Sequence, residues 1–221
     1  MYMQKWVIGI DEAGRGPLAG PVAVGVVLVS PDFDWDLLPG VNDSKQLAAK
    51  KREEIFTAAQ RLHKEEKLRY SVALVSAKVI DKKGIVPAIK VALARGLKQV
   101  INAGKETPQK QYNGVVNCII TPAMVRVLLD GGLRAPREYT NQATIIKGDS
   151  KEKVIGLASI MAKVTRDRYM VRRCSLLAFS PYCFATHKGY GTKAHREAIA
   201  NHGLSAEHRV TFCRNIKVSS S

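Results

Sequence analysis

Two adjacent carboxylates stand just before a glycine-flanked arginine near the N-terminus. Asp11 and Glu12 follow an apolar run typical of a buried strand, where a carboxylate needs a cation or hydrogen bonds to replace its lost hydration. Gly14 and Gly16 allow a sharp turn and close approach of the backbone to a ligand, and Arg15 can donate paired hydrogen bonds to a phosphate. The segment predicts metal ligands beside a phosphate-binding loop. An ordinary polar turn between two strands is the alternative.

Two more predicted strands lead into acids. The apolar stretch 125–129 ends on Asp130, and the stretch 143–146 is followed closely by Asp149. Because strand ends are neighbours in a sheet, these acids can converge with the first pair, and divalent cations would relieve their mutual repulsion. Oxygen ligands suit Mg²⁺ or Mn²⁺, and two such ions can stabilise both sides of an in-line displacement at a phosphodiester.

Each acid also has a purely structural explanation. Asp130 precedes a glycine, which makes a common turn pair. Asp149 could cap the helix that follows, because a glutamate stands three residues later as in a capping box. Strict strand alternation would direct the side chains of Asp11 and Glu12 to opposite faces of the sheet, unless a turn begins at Glu12.

The charge balance indicates a polyanionic partner. The 221 residues include 35 Lys and Arg against 19 Asp and Glu, a net charge of +16, which favours binding to nucleic acid. We find no basic amphipathic helix, transmembrane span or signal peptide, so we expect no membrane association. Four scattered cysteines fit neither a zinc site nor a disulfide framework and are expected to be reduced in the cytoplasm; they are Cys118, Cys174, Cys183 and Cys213.

The hydrophobic pattern predicts a mixed α/β chain. Helices and strands alternate, with strands expected at 5–11, 21–29, 69–75, 125–129 and 143–146, and helices at 46–67, 86–103, 152–171 and 193–201. A polar loop is expected at 104–113, and residues 115–120 form a short strand or part of an insertion. We expect a catalytic domain at 1–171 and a C-terminal helical extension at 172–221, packed together as one functional unit.

Two other groups of polar residues have simpler interpretations. Asp167 could compete with Asp149 as a metal ligand, but it lies inside a predicted helix four residues after Lys163 and is expected to pair with it. Four histidines near the C-terminus have no recognisable metal-ligand spacing. We expect them to be solvated or to face phosphate, at positions His187, His195, His202 and His208.

The chain resembles ribonuclease HII, the type 2 ribonuclease H family, through motifs that occur in the family's order from Val7 to about Phe212. Two departures are a longer stretch at 104–120 and Cys183 in a position where the family commonly has glycine. The motifs are Asp11-Glu12-Ala13-Gly14-Arg15-Gly16, Asn42-Asp43-Ser44-Lys45-Gln46-Leu47, Leu129-Asp130-Gly131, Lys147-Gly148-Asp149-Ser150, the helical segment 158–167, His187-Lys188-Gly189-Tyr190-Gly191-Thr192, and His208-Arg209 through Phe212.

This resemblance implies a fold and a set of residue roles. The fold is an RNase H-like mixed β-sheet flanked by helices, with a C-terminal helical module. The resemblance implies that a glycine loop senses the 2′-OH of the ribonucleotide and that Tyr190 stacks on the sugar beyond the scissile phosphate. The implied catalytic and metal-binding residues are Asp11, Glu12, Asp130 and Asp149, and the implied nucleic-acid contacts are Gly14, Arg15, Gly16, Ser44, Lys45, Lys188 and Tyr190.

The implied function is a Mg²⁺- or Mn²⁺-dependent endonuclease. It is expected to hydrolyse the RNA strand of RNA·DNA hybrids and to cut duplex DNA on the 5′ side of single embedded ribonucleotides, as in ribonucleotide excision repair. Both reactions are expected to leave a 3′-OH and a 5′-phosphate. We see no clamp-binding motif and expect a monomer. The alternatives are an RNase H-like DNA endonuclease and a non-catalytic basic nucleic-acid-binding module. The glycine loop together with Tyr190 argues against both, because neither has to recognise a ribonucleotide.

Overall fold

A mixed five-stranded sheet forms the centre of the computed structural model, which describes residues 6–41, 47–102 and 120–217. The strand order is β3-β2-β1-β4-β5, with β1 antiparallel to β2, β2 antiparallel to β3, and the pairs β1–β4 and β4–β5 parallel. The strands are β1 (Trp6–Ala13), β2 (Val22–Val29), β3 (Arg69–Val75), β4 (Val125–Asp130) and β5 (Gln142–Ile145). All five were predicted from sequence, and the mixed α/β class is confirmed.

Seven helices accompany the sheet in the described ranges. The four long helices were predicted, whereas α2, α4 and α6 were not, because four to seven residues are too few to show a helical apolar period. The bounds are α1 (Ala49–Lys64), α2 (Ala77–Lys83), α3 (Ile85–Asn102), α4 (Gly148–Lys151), α5 (Lys153–Cys174), α6 (Phe184–His187) and α7 (Lys193–His202).

Helices cover both faces of the sheet. On one face, α3 packs on β2 and β3, and on the other face α5 packs on β1 and β2 with α1 against it. Burial on both faces explains why β2 is an uninterrupted apolar run, with all eight residues buried. Helix α5 runs very close to the central strands: a Cβ at Gly9 would lie 2.3 Å from Val154 O, and one at Gly25 would lie 2.2 Å from Ala158 O. This contact places α5 directly against the strand that carries the first acids.

The C-terminal segments pack around the end of α5. A third apolar cluster joins Leu18 and Ala19 to Met170, Phe184 and Ile199, so the chain after β1 is held against the C-terminal helices. The division into 1–171 and 172–221 stays a prediction, and 171 lies inside α5. None of the described helices is long and apolar enough to cross a membrane. Ser44, Lys45, nearly all of the predicted loop and strand at 104–120, and Cys118 lie outside the described residues.

Candidate active site

Asp11 and Asp130 lie at the same edge of the sheet. Strands β1 and β4 are parallel, and their register pairs Ile10 with Leu129, the residues immediately before the two acids. Asp11 is buried and accepts hydrogen bonds from the Glu12 backbone N–H at 2.7 Å and from the Ser159 side chain on α5. Burial raises the pKa of Asp11 to about 7; the Ser159 hydrogen bond opposes this rise, and the charges of Asp130 and Glu12 add to it.

Glu12 belongs to the same electrostatic environment. Strand β1 continues through Ala13, so the two acids lie within the strand and not in a turn after it. The pKa of Glu12 is raised by burial and by the charge of Asp130, and it is lowered by Arg15, whose Nη1 lies 3.3 Å from Glu12 Oε1. Despite strand alternation, Glu12 and Asp11 both respond to the charge of Asp130.

Asp149 lies in a short helix, whereas the sequence predicted it at the end of a strand. Strand β5 ends at Ile145, Lys147 takes the left-handed conformation at φ +55°, and Asp149 is a buried residue of the short helix α4. The preceding Gly148 donates its backbone N–H to Asp130 Oδ1 at 2.6 Å. The capping explanation is wrong, because α5 begins at Lys153 with Glu152 as its N-cap residue and has no side-chain cap. Asp149 therefore directly follows the residue that binds Asp130.

The donor chemistry of this carboxylate cluster suits a hard divalent cation. The cluster comprises Asp11, Glu12 and Asp130, and Asp149 follows the glycine that binds Asp130; all these side-chain donors are oxygens, which Mg²⁺ and Mn²⁺ prefer. A cation would offset the burial and repulsion that raise the pKa of Asp11. Within 6–41, 47–102 and 120–217, no three or more His, Cys, Asp or Glu side chains form a group that is already arranged to hold a metal ion.

The predicted glycine loop borders the cluster and is partly open to solvent. Gly14 has φ +88°, a conformation that favours glycine, and a Cβ added at Gly16 would meet no atom within 4 Å. The Arg15 side chain is 54% exposed despite its contact with Glu12. This loop can therefore bring its backbone and one arginine close to a ligand beside the carboxylate cluster.

Two fully buried arginines hold the backbone that follows β1. Arg166 on α5 donates to Pro21 O at 2.9 Å and to Ala19 O at 3.0 Å. Arg209 donates to Gly14 O at 2.6 Å and to the carbonyls of Arg15 and Gly20, both at 3.0 Å.

We assigned no role to either arginine from the sequence. A signal was present for Arg166: it stands four residues from both Ala162 and Met170, so a charged residue occupies the buried stripe of α5. Arg209 follows no such period. Burial and the Arg166 charge lower the pKa of Arg209, the charge of Asp81 opposes this fall, and the guanidinium donates its hydrogen bonds to three neutral carbonyls. The planar guanidinium of arginine, with its donors in a fixed arrangement, suits simultaneous hydrogen bonds to several carbonyls.

Tyr190 lies in a second loop that is joined to the glycine loop. Its ring is 41% exposed, with Lys163 Nζ 5.3 Å and Arg166 Cζ 5.6 Å from its centroid. Gly189 O accepts from the backbone N–H groups of Leu18 and Ala19 at 2.9 and 3.2 Å. The structure thus holds residue 189 against Leu18 and Ala19, shortly after the glycine loop, and leaves the tyrosine ring accessible.

Of the predictions for Asp167 and for the four C-terminal histidines, the first is confirmed and the second is mostly wrong. Asp167 forms the expected ion pair with Lys163, at 2.9 Å. The prediction of solvated or phosphate-facing histidines is wrong for three of the four: His187, His195 and His208 are buried, because they pack among aromatic rings of the C-terminal cluster.

Comparison with known proteins gives consistent matches. The family model described as Ribonuclease HII matches residues 8–215. The chain is 40% identical over 212 residues to a protein named Ribonuclease HII from Caldicellulosiruptor bescii, covering 96% of this chain and 88% of that protein. A Ribonuclease HII from Endomicrobium trichonymphae is also 40% identical, covering 93% of this chain and 84% of that protein.

Solved structures agree in fold. The ribonuclease H2 of Pyrococcus horikoshii matches with a TM-score of 0.63 and 25% identity, over 96% of this chain and 97% of that one. An Archaeoglobus fulgidus RNase HII, solved in a complex with PCNA, matches with a TM-score of 0.65 and 25% identity, over 97% and 96% of the two chains. An RNase HIII solved with Mn²⁺ shares the fold at 16% identity and a TM-score of 0.64. The RNase H-like mixed sheet predicted from sequence is confirmed.

Proposed function

The chain belongs to the ribonuclease HII family, and we propose that it is a divalent-metal-dependent endonuclease that cuts on the 5′ side of single ribonucleotides embedded in duplex DNA. Family membership identifies it as a ribonuclease H enzyme, a nuclease class that acts on RNA·DNA hybrids. The proposed products carry a 3′-OH and a 5′-phosphate.

One observation carries this proposal: three acids from two parallel strands share one electrostatic environment beside an exposed arginine–glycine loop. Asp11, Glu12 and Asp130 interact electrostatically, and Asp149 follows the glycine that binds Asp130. These four residues would hold Mg²⁺ or Mn²⁺. When bound there, divalent cations polarise the scissile phosphodiester and activate the attacking water. By holding such cations, the carboxylates would determine where the reacting phosphate lies.

The rest of the site supports selection of a ribonucleotide. The backbone between Gly14 and Gly16 can approach a sugar closely, where a 2′-OH distinguishes RNA from DNA. The exposed Tyr190 ring can stack on the sugar that follows. Arg15, Ser44, Lys45 and Lys188 are proposed as further nucleic-acid contacts, and the net charge of +16 supplies general affinity for the duplex.

We also propose the setting in which the enzyme acts. Its isolated cysteines suit a reducing compartment such as the cytoplasm, and cleavage beside a single ribonucleotide is the first step that excision repair requires. The Archaeoglobus fulgidus relative was solved with PCNA, and for this chain we propose a monomer that binds hybrid and ribonucleotide-containing duplexes.

The test compares three labelled duplexes: all-DNA, DNA with one ribonucleotide, and an RNA·DNA hybrid. Each is incubated with Mg²⁺, with Mn²⁺ or with EDTA, and the ends are identified by their reactivity with ligase and phosphatase. Asp130→Asn is the active-site variant, and Asp36→Asn, at an exposed aspartate, is its matched control. We expect metal-dependent cleavage 5′ of the ribonucleotide by the wild type and by the control. Equal cleavage of all-DNA would favour a DNA endonuclease, and binding without cleavage would favour a passive binding module.

A further inference from the structure

Three histidine rings form a buried cluster behind Tyr190. His187 and His195 stack with centroids 4.2 Å apart, and His195 Nε2 lies 3.1 Å from His208 Nε2. The three side chains are 9%, 0% and 3% exposed, and the Phe184 ring lies against all of them. They come from α6, α7 and the segment after α7, so the cluster connects separate parts of the C-terminal region.

The hydrogen bonds of this cluster specify one tautomer for each ring. Gly189 donates its N–H to His187 Nδ1 at 3.2 Å, so His187 Nε2 carries the proton and donates to Tyr182 O at 2.7 Å. His195 Nδ1 lies 2.9 Å from Tyr190 O, a carbonyl that can only accept, so His195 carries its proton on Nδ1.

The last ring completes the same pattern. Ser205 donates its N–H to His208 Nδ1 at 2.9 Å, so His208 carries its proton on Nε2 and donates to the unprotonated His195 Nε2. With all three rings neutral, every one of the six ring nitrogens has a partner of the right kind, and His208 Nδ1 also lies 2.8 Å from the Ser205 hydroxyl. A proton added to His195 would place two N–H groups face to face, and burial already lowers the pKa values of His195 and His208 to about 4.

Two separate sets of hydrogen bonds end on the backbone that carries Tyr190, one through His187 and the other through His208 and His195. His187 binds Gly189 N–H and His195 binds Tyr190 O, while Arg166 Nη1 donates to Lys188 O at 3.0 Å. Gly189 O is bound by the segment after the glycine loop. Three consecutive carbonyls are therefore each fixed by a different part of the protein.

We infer that His187, His195 and His208 are positioning residues: their hydrogen bonds fix the backbone at 189–190 and thereby aim the Tyr190 ring at the substrate. The inference rests on the proposed function, because it requires that Tyr190 contact the nucleic acid. It extends that function to three residues that touch no substrate. A cluster that serves only as packing would need the rings but not their nitrogen atoms.

The first test reads the tautomers directly and needs no substrate. Imidazole ¹⁵N shifts of the full-length protein at pH 7 should show His187 and His208 protonated on Nε2, His195 protonated on Nδ1, and all three neutral. The exposed His202 provides the reference for a histidine outside the buried cluster. An Nε2-protonated His195, or a positively charged ring in the cluster, would overturn the inference.

The second test measures coupling to Tyr190. His195→Phe keeps an aromatic ring but removes both nitrogens, whereas His195→Asn keeps a donor near the Nδ1 position; His202→Phe is the matched control. Well below the unfolding temperature, we expect His195→Phe to slow cleavage at a single ribonucleotide by about tenfold and His195→Asn to recover most of the rate, because small displacements of positioning groups are costly. In a Tyr190→Ala background, His195→Phe should have little further effect.

The outcomes distinguish a failure of the proposed role of Tyr190 from a failure of the positioning role of the histidines. If Tyr190→Ala cleaves at the wild-type rate, the proposed role of Tyr190 is wrong and the positioning role falls with it, although the ¹⁵N shifts still decide whether the hydrogen bonds of the cluster exist. If Tyr190→Ala is impaired but His195→Phe is not, only the positioning inference fails. Fully multiplicative effects of the two substitutions would also overturn it.

Discussion

Replacing Asp11 by asparagine should abolish cleavage and at the same time stabilise the metal-free protein at neutral pH. The carboxyl is buried, and its pKa rises from 3.8 in an ordinary setting to about 7 in the folded protein, chiefly through burial. The folded state therefore binds this proton more tightly than the unfolded state does. The contribution of the Asp11 carboxyl to the free energy of unfolding therefore falls as pH rises from about 4 to about 7, and it stays low above that range. Asparagine cannot ionise and does not incur this loss.

The size of the effect follows from the two pKa values. A rise from 3.8 to about 7 corresponds to about 4 kcal/mol, because each pKa unit is worth about 1.4 kcal/mol. Asparagine retains one acceptor oxygen for Glu12 N–H and Ser159, so one weakened hydrogen bond subtracts about 1 kcal/mol. We expect a net gain of about 2 to 3 kcal/mol at pH 8, or about 5 to 10 °C in melting temperature for a chain of this length.

Urea and thermal unfolding in EDTA at pH 4 and pH 8 measure this gain, with Asp36→Asn as the exposed control. At pH 4 the advantage of Asp11→Asn should disappear, because the wild-type carboxyl is then protonated in the folded state. Added Mg²⁺ should stabilise the wild type more than the variant, since the charge it would neutralise is absent from the variant. A variant less stable than the wild type at pH 8, or a gain independent of pH, would refute this account of the site.

Four further predictions concern catalysis and binding. Asp149→Asn should lose turnover but keep nearly full affinity for hybrid, measured by anisotropy in Ca²⁺; a near wild-type rate in saturating Mg²⁺ would contradict its role as a ligand. Tyr190→Phe should retain most cleavage at a single ribonucleotide, whereas Tyr190→Ala should lose far more activity than thermal stability, because stacking needs the ring and is worth about 1–3 kcal/mol. The logarithm of hybrid affinity should fall steeply with the logarithm of salt concentration, and Lys45→Ala should reduce that slope by about one if Lys45 binds one phosphate. An affinity that does not change with salt would contradict the interpretation that the net positive charge drives binding. Arg209→Lys should slow cleavage more than an exposed Arg214→Lys control does, because an ammonium lacks the planar fork that binds three carbonyls.

Much of the architecture was predictable because it depends on short stretches of sequence. Period-two and continuous apolar runs identified all five strands, and the four long helices each had enough turns to show an apolar stripe. Helix α4 has four residues and leaves no such pattern, so the sequence predicted Asp149 at a strand end when it lies in a helix. The motif resemblance supplied the site residues independently of these patterns, and their catalytic roles stay predictions.

The sequence by itself determined which side chains are present for chemistry: the four acids, the glycine-flanked Arg15 and Tyr190. Only the tertiary structure decided which of them interact, because β4 pairs with β1 across more than a hundred residues of chain and brings Asp130 beside Asp11. Burial is likewise a property of distant elements packing together. Polar residue types that usually lie at the surface are buried here: Arg166, Arg209 and three histidines. They bind the backbone of the glycine loop and of the loop that carries Tyr190, because a buried donor must find an acceptor wherever the fold places one.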